Sequence, residues 1–225
     1  MCGRFTVTVD PQKVQETFQV TNTPDIPPRY NVAPMQTIPT IMRGEANENE
    51  FAWMKWGLVP SWSKDPKGGG KMINARAEGI EAKPAFRSAI KRRRCIVVST
   101  GFYEWRKNPD DSKTPMFITL QEDDPLIAFA GLWETWTNAE TGEILTTCTI
   151  ITTEPNELMA TIHNRMPVIL PRDVHNQWLD YKLTDAAKVT PLLKPFPAHL
   201  MKAYEVSSRV NNARNEGSEL MEPVQ

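Results

Sequence analysis

Cysteine is scarce in this sequence, with three in 225 residues. Three thiols cannot build a disulfide scaffold, and the odd number leaves at least one free, as is typical of a reducing compartment. No segment approaches the roughly 20 consecutive apolar residues that a membrane helix needs. The first residues also lack the basic and then apolar plan of a signal peptide. We therefore predict a cytoplasmic protein with no membrane partner.

Neither sign of charge is in excess. Lys and Arg number 26, and Asp and Glu 27, for a formal net charge of −1. A uniformly basic surface that coats nucleic acid is therefore excluded, while a local basic patch is not. Apolar residues make up 40% of the chain, which is enough for a core and argues against disorder over most of its length.

Glycine is outnumbered by proline, 11 residues to 19, which indicates many fixed turns and few long regular elements. Apolar or alternating runs rich in β-branched and aromatic residues predict strands at 36–42, 51–56, 95–99, 116–120, 127–133 and 145–152. Helical spacing predicts helices from Pro11 and within 84–93, 155–162 and 171–181. Strands and helices do not alternate, which argues against a doubly wound parallel sheet. We predict an α+β fold with a bent, partly closed, mainly antiparallel, barrel-like β-sheet core and peripheral helices.

Internal repeats and linker-like segments are absent, so residues 1–225 are predicted to form a single domain. The polar segment 63–71 contains Gly68, Gly69 and Gly70 and is predicted to be a flexible loop. The chain from about residue 212 is predicted to be a polar tail that runs over the surface. We expect a monomer.

Motifs for metals, nucleotides and serine nucleophiles are also absent. The sequence has no CxxC, no HExxH and no His and Cys cluster with metal-ligand spacing. It has no GxxxxGK[ST], GxGxxG or GxSxG either. We therefore predict neither a metal ion nor a small-molecule cofactor.

Cys2 is the most distinctive residue. If Met1 is removed, Cys2 carries a free α-amine beside its thiol. At pH 7 the neutral, nucleophilic fraction of an α-amine is roughly several hundred times that of a lysine. Such an amine attacks aldehydes to give a Schiff base, and the thiol can then close on the same carbon as a five-membered thiazolidine. The alternative is that position 2 is a frayed terminus.

Glu104 and His163 are candidates for proton transfer. Glu104 lies within Gly101-Phe102-Tyr103-Glu104-Trp105, and an ionised carboxylate is costly to bury among aromatic rings. The alternative is a solvated strand residue. His163 follows the helix predicted within 155–162, where a protonated ring is favoured and can donate a proton. The alternative is a histidine that only caps the helix.

Candidates for contacts to a sugar and a phosphate follow the glycine-rich segment. If residues 73–78 are extended, Asn74 and Arg76 share one face, where they suit a sugar hydroxyl and a phosphate. Alternatively, Arg76 forms a surface pair with Glu78. The basic run 91–94 is interpreted as a solvated helix end. One of Trp56 and Trp62 could offer a stacking surface for a base, although core packing is the commoner role of tryptophan.

Six segments, each weak alone, occur together in one order, and the resemblance described below covers the chain from Cys2 to about residue 212. They are Met1-Cys2-Gly3-Arg4-Phe5, Arg29-Tyr30-Asn31-Val32-Ala33-Pro34, Trp56-Gly57-Leu58-Val59-Pro60-Ser61-Trp62, Ile73-Asn74-Ala75-Arg76-Ala77-Glu78, Gly101-Phe102-Tyr103-Glu104-Trp105 and His163-Asn164-Arg165-Met166-Pro167. Their identity and order resemble the SOS-response-associated peptidase (SRAP) family, the abasic-site-processing proteins. The Gly68-Gly69-Gly70 run is a departure from that pattern.

This resemblance implies a protein that senses abasic sites in single-stranded DNA, including single-strand to double-strand junctions, in the nucleoid at damaged DNA. It implies a covalent thiazolidine link to the sugar aldehyde through Cys2, after self-removal of Met1. Asn74 is then expected to position the amine and sugar, Glu104 to act as the acid–base group, and His163 to protonate the sugar oxygen.

The resemblance also implies a set of DNA contacts. Arg4, Arg76 and Arg165 match positions that hold the phosphates flanking the lesion. Pro34 and Trp62 match loop positions that wedge or stack near the junction.

Two other functions are compatible with the residues. A cysteine peptidase would use the Cys2 thiolate with His163 and an orienting Asn74, and it would stay active with a blocked α-amine. A non-covalent single-strand or junction-binding module would bind DNA in a salt-sensitive way and form no complex that survives denaturant.

Overall fold

The computed structural model describes residues 2–22, 25–123 and 125–224. The strands are β1 (Phe5–Val7), β2 (Arg29–Val32), β3 (Thr37–Arg43), β4 (Asn49–Trp56), β5 (Asn74–Arg76), β6 (Arg94–Ser99), β7 (Gly101–Lys107), β8 (Lys113–Leu120), β9 (Ile127–Thr137), β10 (Ile144–Thr153), β11 (Met166–Pro167) and β12 (Met201–Glu205). The α-helices are α1 (Pro11–Phe18), α2 (Ala89–Arg92), α3 (Glu157–Ala160), α4 (His175–Leu179) and α5 (Ala186–Val189). No helix in these ranges is long and apolar enough to cross a membrane.

Five strands close into a barrel. Strand β10 pairs antiparallel with β9 and parallel with β4, and β4 continues through β3 and β6 back to β9. Closure leaves none of the five as an open edge. Fully buried apolar side chains such as Ile41, Ile96, Phe129 and Ile150 form the core of this region. The predicted α+β fold with a barrel-like, mainly antiparallel core is confirmed, and the barrel is closed rather than partly closed.

A second, antiparallel sheet has the strand order β12-β8-β7-β1-β2. It packs on the barrel through aromatic edges. The Phe5 ring of β1 lies 5.1 Å from that of Trp56 and 6.1 Å from that of Phe129. The Phe102 ring of β7 lies 5.9 Å from the Phe129 ring. These contacts hold the first strand, and the N-terminal residues before it, against the barrel.

The helices are peripheral and mostly shorter than the sequence predicts. Helix α1 begins as expected, since the Asp10 side chain accepts a hydrogen bond from the Gln12 N–H at 2.8 Å and Val14 and Phe18 are buried. The segments predicted at 84–93, 155–162 and 171–181 contain only one or so α-helical turn each, in α2, α3 and α4. Packing on the sheets, rather than helix length, stabilises such short helices.

The segment predicted as a glycine-rich flexible loop contains a 3-10 helix, Pro66–Lys71. Asp65 caps it by accepting from the Lys67 N–H at 2.9 Å. Gly69 is buried against Gly57, and a Cβ atom on Gly69 would lie 2.5 Å from the Gly57 carbonyl oxygen. The glycine therefore permits a close backbone approach in an ordered segment.

The chain after β12 is anchored, although the sequence predicts only a polar surface tail. It forms two 3-10 helices, Ser208–Asn211 and Ser218–Met221. Leu220 is fully buried, and the Val224 N–H donates to the Glu205 carbonyl at 3.0 Å. The sequence does not reveal how this segment is held, because contacts such as the one from the Tyr30 N–H to the Glu216 carboxylate join residues far apart in the chain.

Candidate active site at the N-terminal segment

Cys2 is fully buried and lies between two elements that carry predicted site residues. The Asn74 Nδ2 donates to the Cys2 carbonyl at 2.8 Å. On the other side, the Tyr103 N–H donates to the Arg4 carbonyl at 2.9 Å, which extends the pairing of β1 with β7 toward Cys2. Position 2 is therefore held in place and is not a frayed terminus.

Glu104, the next residue of β7, is also buried, with 3% of its surface exposed. Burial raises the pKa of the Cys2 thiol well above its usual range, and the Glu104 carboxylate raises it further. The Arg4 backbone N–H, which donates to the sulfur, offsets only part of this effect. The thiol is consequently held in its protonated form in this environment.

Asn74 is the first residue of the three-residue strand β5, which pairs in parallel with β10 opposite Ile150. The strand alternates, so Asn74 and Arg76 lie on one face and the buried Ala75 on the other, as predicted. Asn74 Oδ1 is buried and has no hydrogen-bond partner among the described residues. Because buried amide oxygens are nearly always paired, this acceptor is available for a ligand.

His163 follows α3 and precedes β11, which pairs with β10 at Thr152 and Thr153. Strand β5 pairs with the same end of β10, since Arg76 and Pro167 are both opposite Thr152. The His163 Nδ1 accepts from the Arg165 N–H at 3.1 Å. This bond assigns the proton of the neutral ring to Nε2.

Arg76 and Arg165 differ in their partners. Arg165 forms a two-point ion pair with Glu78, at 2.7 and 2.9 Å, and also donates to the Thr152 carbonyl at 2.7 Å. The hydrogen bond from Arg165 lowers the pKa of Glu78. Arg76 is exposed, and the described residues offer its guanidinium no hydrogen bond or ion pair. The alternative pairing of Arg76 with Glu78 is therefore wrong.

Arg4 is held by its own neighbours. Its Nη1 donates to Asn31 Oδ1 and to the Val210 carbonyl, both at 2.7 Å. Its guanidinium carbon lies 5.8 Å from the centre of the Trp105 ring. The guanidinium is thus largely committed within the protein, unlike that of Arg76.

Pro34 and Trp62 lie in two loops near the C-terminal end of β4. The Pro34 loop leads into β3, which begins opposite Lys55, and the Trp62 loop follows β4. Pro34 is half-buried in the turn before β3, and the next residue, Met35, donates to the Trp56 carbonyl at 2.9 Å. Trp62 is 67% exposed, whereas Trp56 is fully buried and donates to the Ile73 carbonyl at 2.8 Å. Of the two tryptophans considered for stacking, only Trp62 presents a free ring face.

Sequence reasoning missed two participants. Asn31 lies within a recognised motif but had no role assigned, although a buried amide in a β-strand is itself an unusual signal. The pairing of Glu78 with Arg165 spans 87 residues and has no local signal. The run at 91–94 is only partly a solvated helix end, because Arg94 is buried and donates to the Ile90 carbonyl at 2.7 Å.

Metal-ligand clusters are not formed by the part of the chain that the structure describes. No group of three His, Cys, Asp or Glu side chains there could hold an ion. The arrangement instead brings a thiol, a buried carboxylate and a half-bonded amide together at the N-terminal segment.

Known proteins resemble this chain over its whole length. The model of the family described as SOS response associated peptidase (SRAP) matches residues 1–213. The chain is 47% identical to the abasic site processing protein YoqW of Bacillus subtilis, with 99% of each chain covered. It is 32% identical to the abasic site processing protein HMCES of Gallus gallus, over 88% of this chain and 67% of that protein. A crystal structure of a Bacteroides thetaiotaomicron protein superposes with a TM-score of 0.87 at 29% identity, with both chains fully covered.

The family match, the identity to curated relatives and the shared fold all agree with the resemblance carried by the six segments. The chain belongs to the SOS response associated peptidase (SRAP) family.

Proposed function

We propose that this protein processes abasic sites in single-stranded DNA by forming a covalent link between Cys2 and the sugar aldehyde. The observation that carries the proposal is the burial of Cys2 between Asn74 and Glu104, in a chain whose relatives are named abasic site processing proteins. An abasic site has no base edge to read, so recognition must rest on the aldehyde and on the shape of the backbone.

Removal of Met1, by the protein itself or by an aminopeptidase, exposes the α-amine of Cys2. The protonated state of the thiol supports attack by the amine first. The amine nitrogen adds to the aldehyde carbon C1′, and loss of one water leaves a Schiff base. The sulfur then adds to the same carbon, and its proton passes to the nitrogen, which closes the thiazolidine.

Each neighbouring side chain has a task in these steps. His163 Nε2 protonates the ring oxygen of the closed sugar as it opens to the aldehyde. Asn74 Oδ1 accepts a hydrogen bond from the attacking amine while its Nδ2 holds the Cys2 carbonyl. Glu104 takes the proton from the amine and returns it to the departing water.

DNA contacts are assigned by exposure. Arg76 binds a phosphate next to the lesion, and Arg165 binds another when the phosphate displaces Glu78. Trp62, on its exposed loop, stacks on a neighbouring base, a contact worth about 1–3 kcal/mol. Pro34 wedges at a junction, and Arg4 contributes positive charge beside Cys2.

The test is a denaturing gel of the Met1-processed protein with a single-stranded oligonucleotide that carries one abasic site. The wild type is expected to give a shifted band whose mass equals protein plus DNA minus one water. The undamaged oligonucleotide is the control. Cys2→Ala keeps the amine and loses the thiol, so its adduct should require borohydride reduction to survive. A stable shift with Cys2→Ala, or none with wild type, contradicts the proposal.

The cysteine-peptidase alternative is tested by the thiol itself. A nucleophilic cysteine of that class has a lowered pKa, whereas that of Cys2 is raised. We expect iodoacetamide to alkylate Cys2 in the folded protein far more slowly at pH 8 than in urea. Rapid alkylation of the folded protein, together with peptide cleavage by a variant with extra residues before Cys2, would favour the peptidase.

A further inference from the structure

Asn31 of β2 has no part in the chemistry above, yet its side-chain amide is bonded at both ends. It is fully buried. Its Oδ1 accepts from Arg4 Nη1 at 2.7 Å. Its Nδ2 donates to the carbonyls of Asn212 at 3.0 Å and Asn215 at 2.9 Å. The amide therefore joins the N-terminal segment to the C-terminal part of the chain.

The C-terminal partner is residues 207–216, which we call the C-terminal strap. Its Val210 carbonyl accepts from Arg4 at 2.7 Å, and its Asn211 Oδ1 accepts from the Trp105 Nε1 at 2.7 Å. Its Glu216 carboxylate accepts from the Tyr30 N–H at 2.8 Å. The strap is thus tied to β2, β7 and the N-terminal segment at once.

Cys2 depends on such ties because it precedes the first residue of β1 by three positions. Chain ends fray unless they are held. Among the described residues, two hydrogen bonds to backbone carbonyls hold the N-terminal segment. The Asn74 side chain donates to the Cys2 carbonyl, and the Tyr103 N–H donates to the Arg4 carbonyl. The Arg4 side chain, clamped by Asn31 and the strap, supplies the third.

We propose that Asn31 is a positioning residue for Cys2, acting through Arg4 and the C-terminal strap. It holds the N-terminal segment so that the amine and thiol meet the aldehyde carbon in a single geometry. Displacement of a reacting group by about 1 Å can slow a reaction on the order of 100-fold. The expected effect on the cross-linking rate rests on the proposed function, whereas the expected effect on the accessibility of Cys2 does not.

The first experiment separates rate from binding. The cross-linking rate at saturating DNA and the half-saturating DNA concentration are measured for wild type, Asn31→Ala and Asn31→Asp. Asn31→Ala is expected to lower the saturated rate about 10- to 100-fold and to leave the half-saturating concentration within about twofold. Asn31→Asp keeps an acceptor for Arg4 and should recover part of the rate, and it replaces the alanine variant if that variant does not fold.

Asn49→Ala is the matched control. Asn49 is 7% exposed and donates to the Phe18 carbonyl at 2.6 Å, so its loss also removes a buried amide. It begins β4, whose other end, Trp56, contacts Phe5 near the N-terminal segment. Asn49→Ala should lower stability without slowing cross-linking at saturating DNA.

The second experiment needs no DNA. A cyanobenzothiazole condenses with an N-terminal amine and thiol pair, so it reports how accessible Cys2 is. Because Cys2 is fully buried in the wild type, labelling should be several-fold faster in Asn31→Ala and unchanged in Asn49→Ala. The cross-linking and labelling rates of Asn31→Ala thus move in opposite directions.

The outcomes are distinguishable. If wild type forms no cross-link, the proposed function fails and labelling alone decides the positioning role. If wild type cross-links and Asn31→Ala matches it in saturated rate and labelling, the positioning role is overturned. A change confined to the half-saturating DNA concentration would also overturn it, because Asn31 would then act on binding.

Discussion

Two asparagine side chains hold the N-terminal segment from different sides, and they differ in how completely they are bonded. Asn31 is fully buried and uses both its oxygen and its nitrogen within the protein. Asn74 uses its nitrogen on the Cys2 carbonyl, while its buried oxygen has no partner among the described residues.

The difference separates support from chemistry. A fully bonded buried amide adds rigidity, and its loss leaves several groups unpaired. A half-bonded one keeps an acceptor that costs stability until a ligand supplies the donor. The same contrast distinguishes Arg4, which is committed to Asn31 and Val210, from the exposed Arg76.

The largest expected effect is that of replacing Asn74, the half-bonded amide, on the rate of cross-linking. Asn74→Ala should slow cross-linking to abasic single-stranded DNA about 100- to 1000-fold, as expected for loss of one preorganised hydrogen-bonding group. Its melting temperature should stay near that of wild type, because only the bond to Cys2 is lost. Single-turnover rates on denaturing gels, with melting curves, check this, and a slowing below twofold would break the comparison.

Loss of the fully bonded amide should lower stability as well as the cross-linking rate, whereas loss of the half-bonded amide should leave stability nearly unchanged. Asn31→Ala removes the partner of an arginine and of two well-placed carbonyls, so the free energy of unfolding should fall by about 2–3 kcal/mol. Urea unfolding of the Asn31→Ala and Asn74→Ala variants, each against wild type, measures this. An equal loss in both variants would remove the distinction between them.

The two arginines extend the comparison to charge. Arg76→Met should lower the slope of log affinity against log salt concentration by about 1, because one phosphate contact is lost. Arg4→Met, which removes the same charge, should leave that slope nearly unchanged and lower the stability instead. Binding to abasic-site DNA by the Cys2→Ala variant, titrated at several salt concentrations, tests both. Equal slopes for the two substitutions would contradict the assignment.

The smallest effect, on DNA affinity, is expected from replacing Glu78, which forms an ion pair with Arg165. Its side chain is 56% exposed, so its ion pair with Arg165 contributes little to stability. Glu78→Gln should nevertheless raise DNA affinity about two- to fivefold, since a phosphate would no longer displace a carboxylate. Fluorescence anisotropy at low salt measures this, and unchanged or weaker binding would argue against Arg165 as a phosphate ligand.

The sequence predicted the longer strands well because their alternation is local. The runs at 36–42, 51–56 and 95–99 correspond to β3, β4 and β6 within one or two residues at each end. Strand β5 has three residues, too few for a periodic pattern, and it exists because β10 offers it a pairing edge. The helices were overestimated, since proline and four-residue spacing mark a helix start but do not set its length.

The family, and the candidate residues matched to it, followed from motifs and their order. The placement of Cys2 beside Asn74 and Glu104 agrees with those candidates, while their chemical roles stay predictions. The committed state of Arg4 could not be predicted, because its partners lie 27 and 206 residues away in the sequence.

What the sequence determined by itself is the inventory: an aminothiol at position 2, one carboxylate among aromatics, one histidine after a helix, and strand-rich patterning around them. These are properties of residue types and near neighbours. Which amide is saturated, which arginine is free and where Glu78 binds were decided only by the tertiary structure. Hydrogen bonds that span many residues form only once the two sheets bring distant segments within about 3 Å.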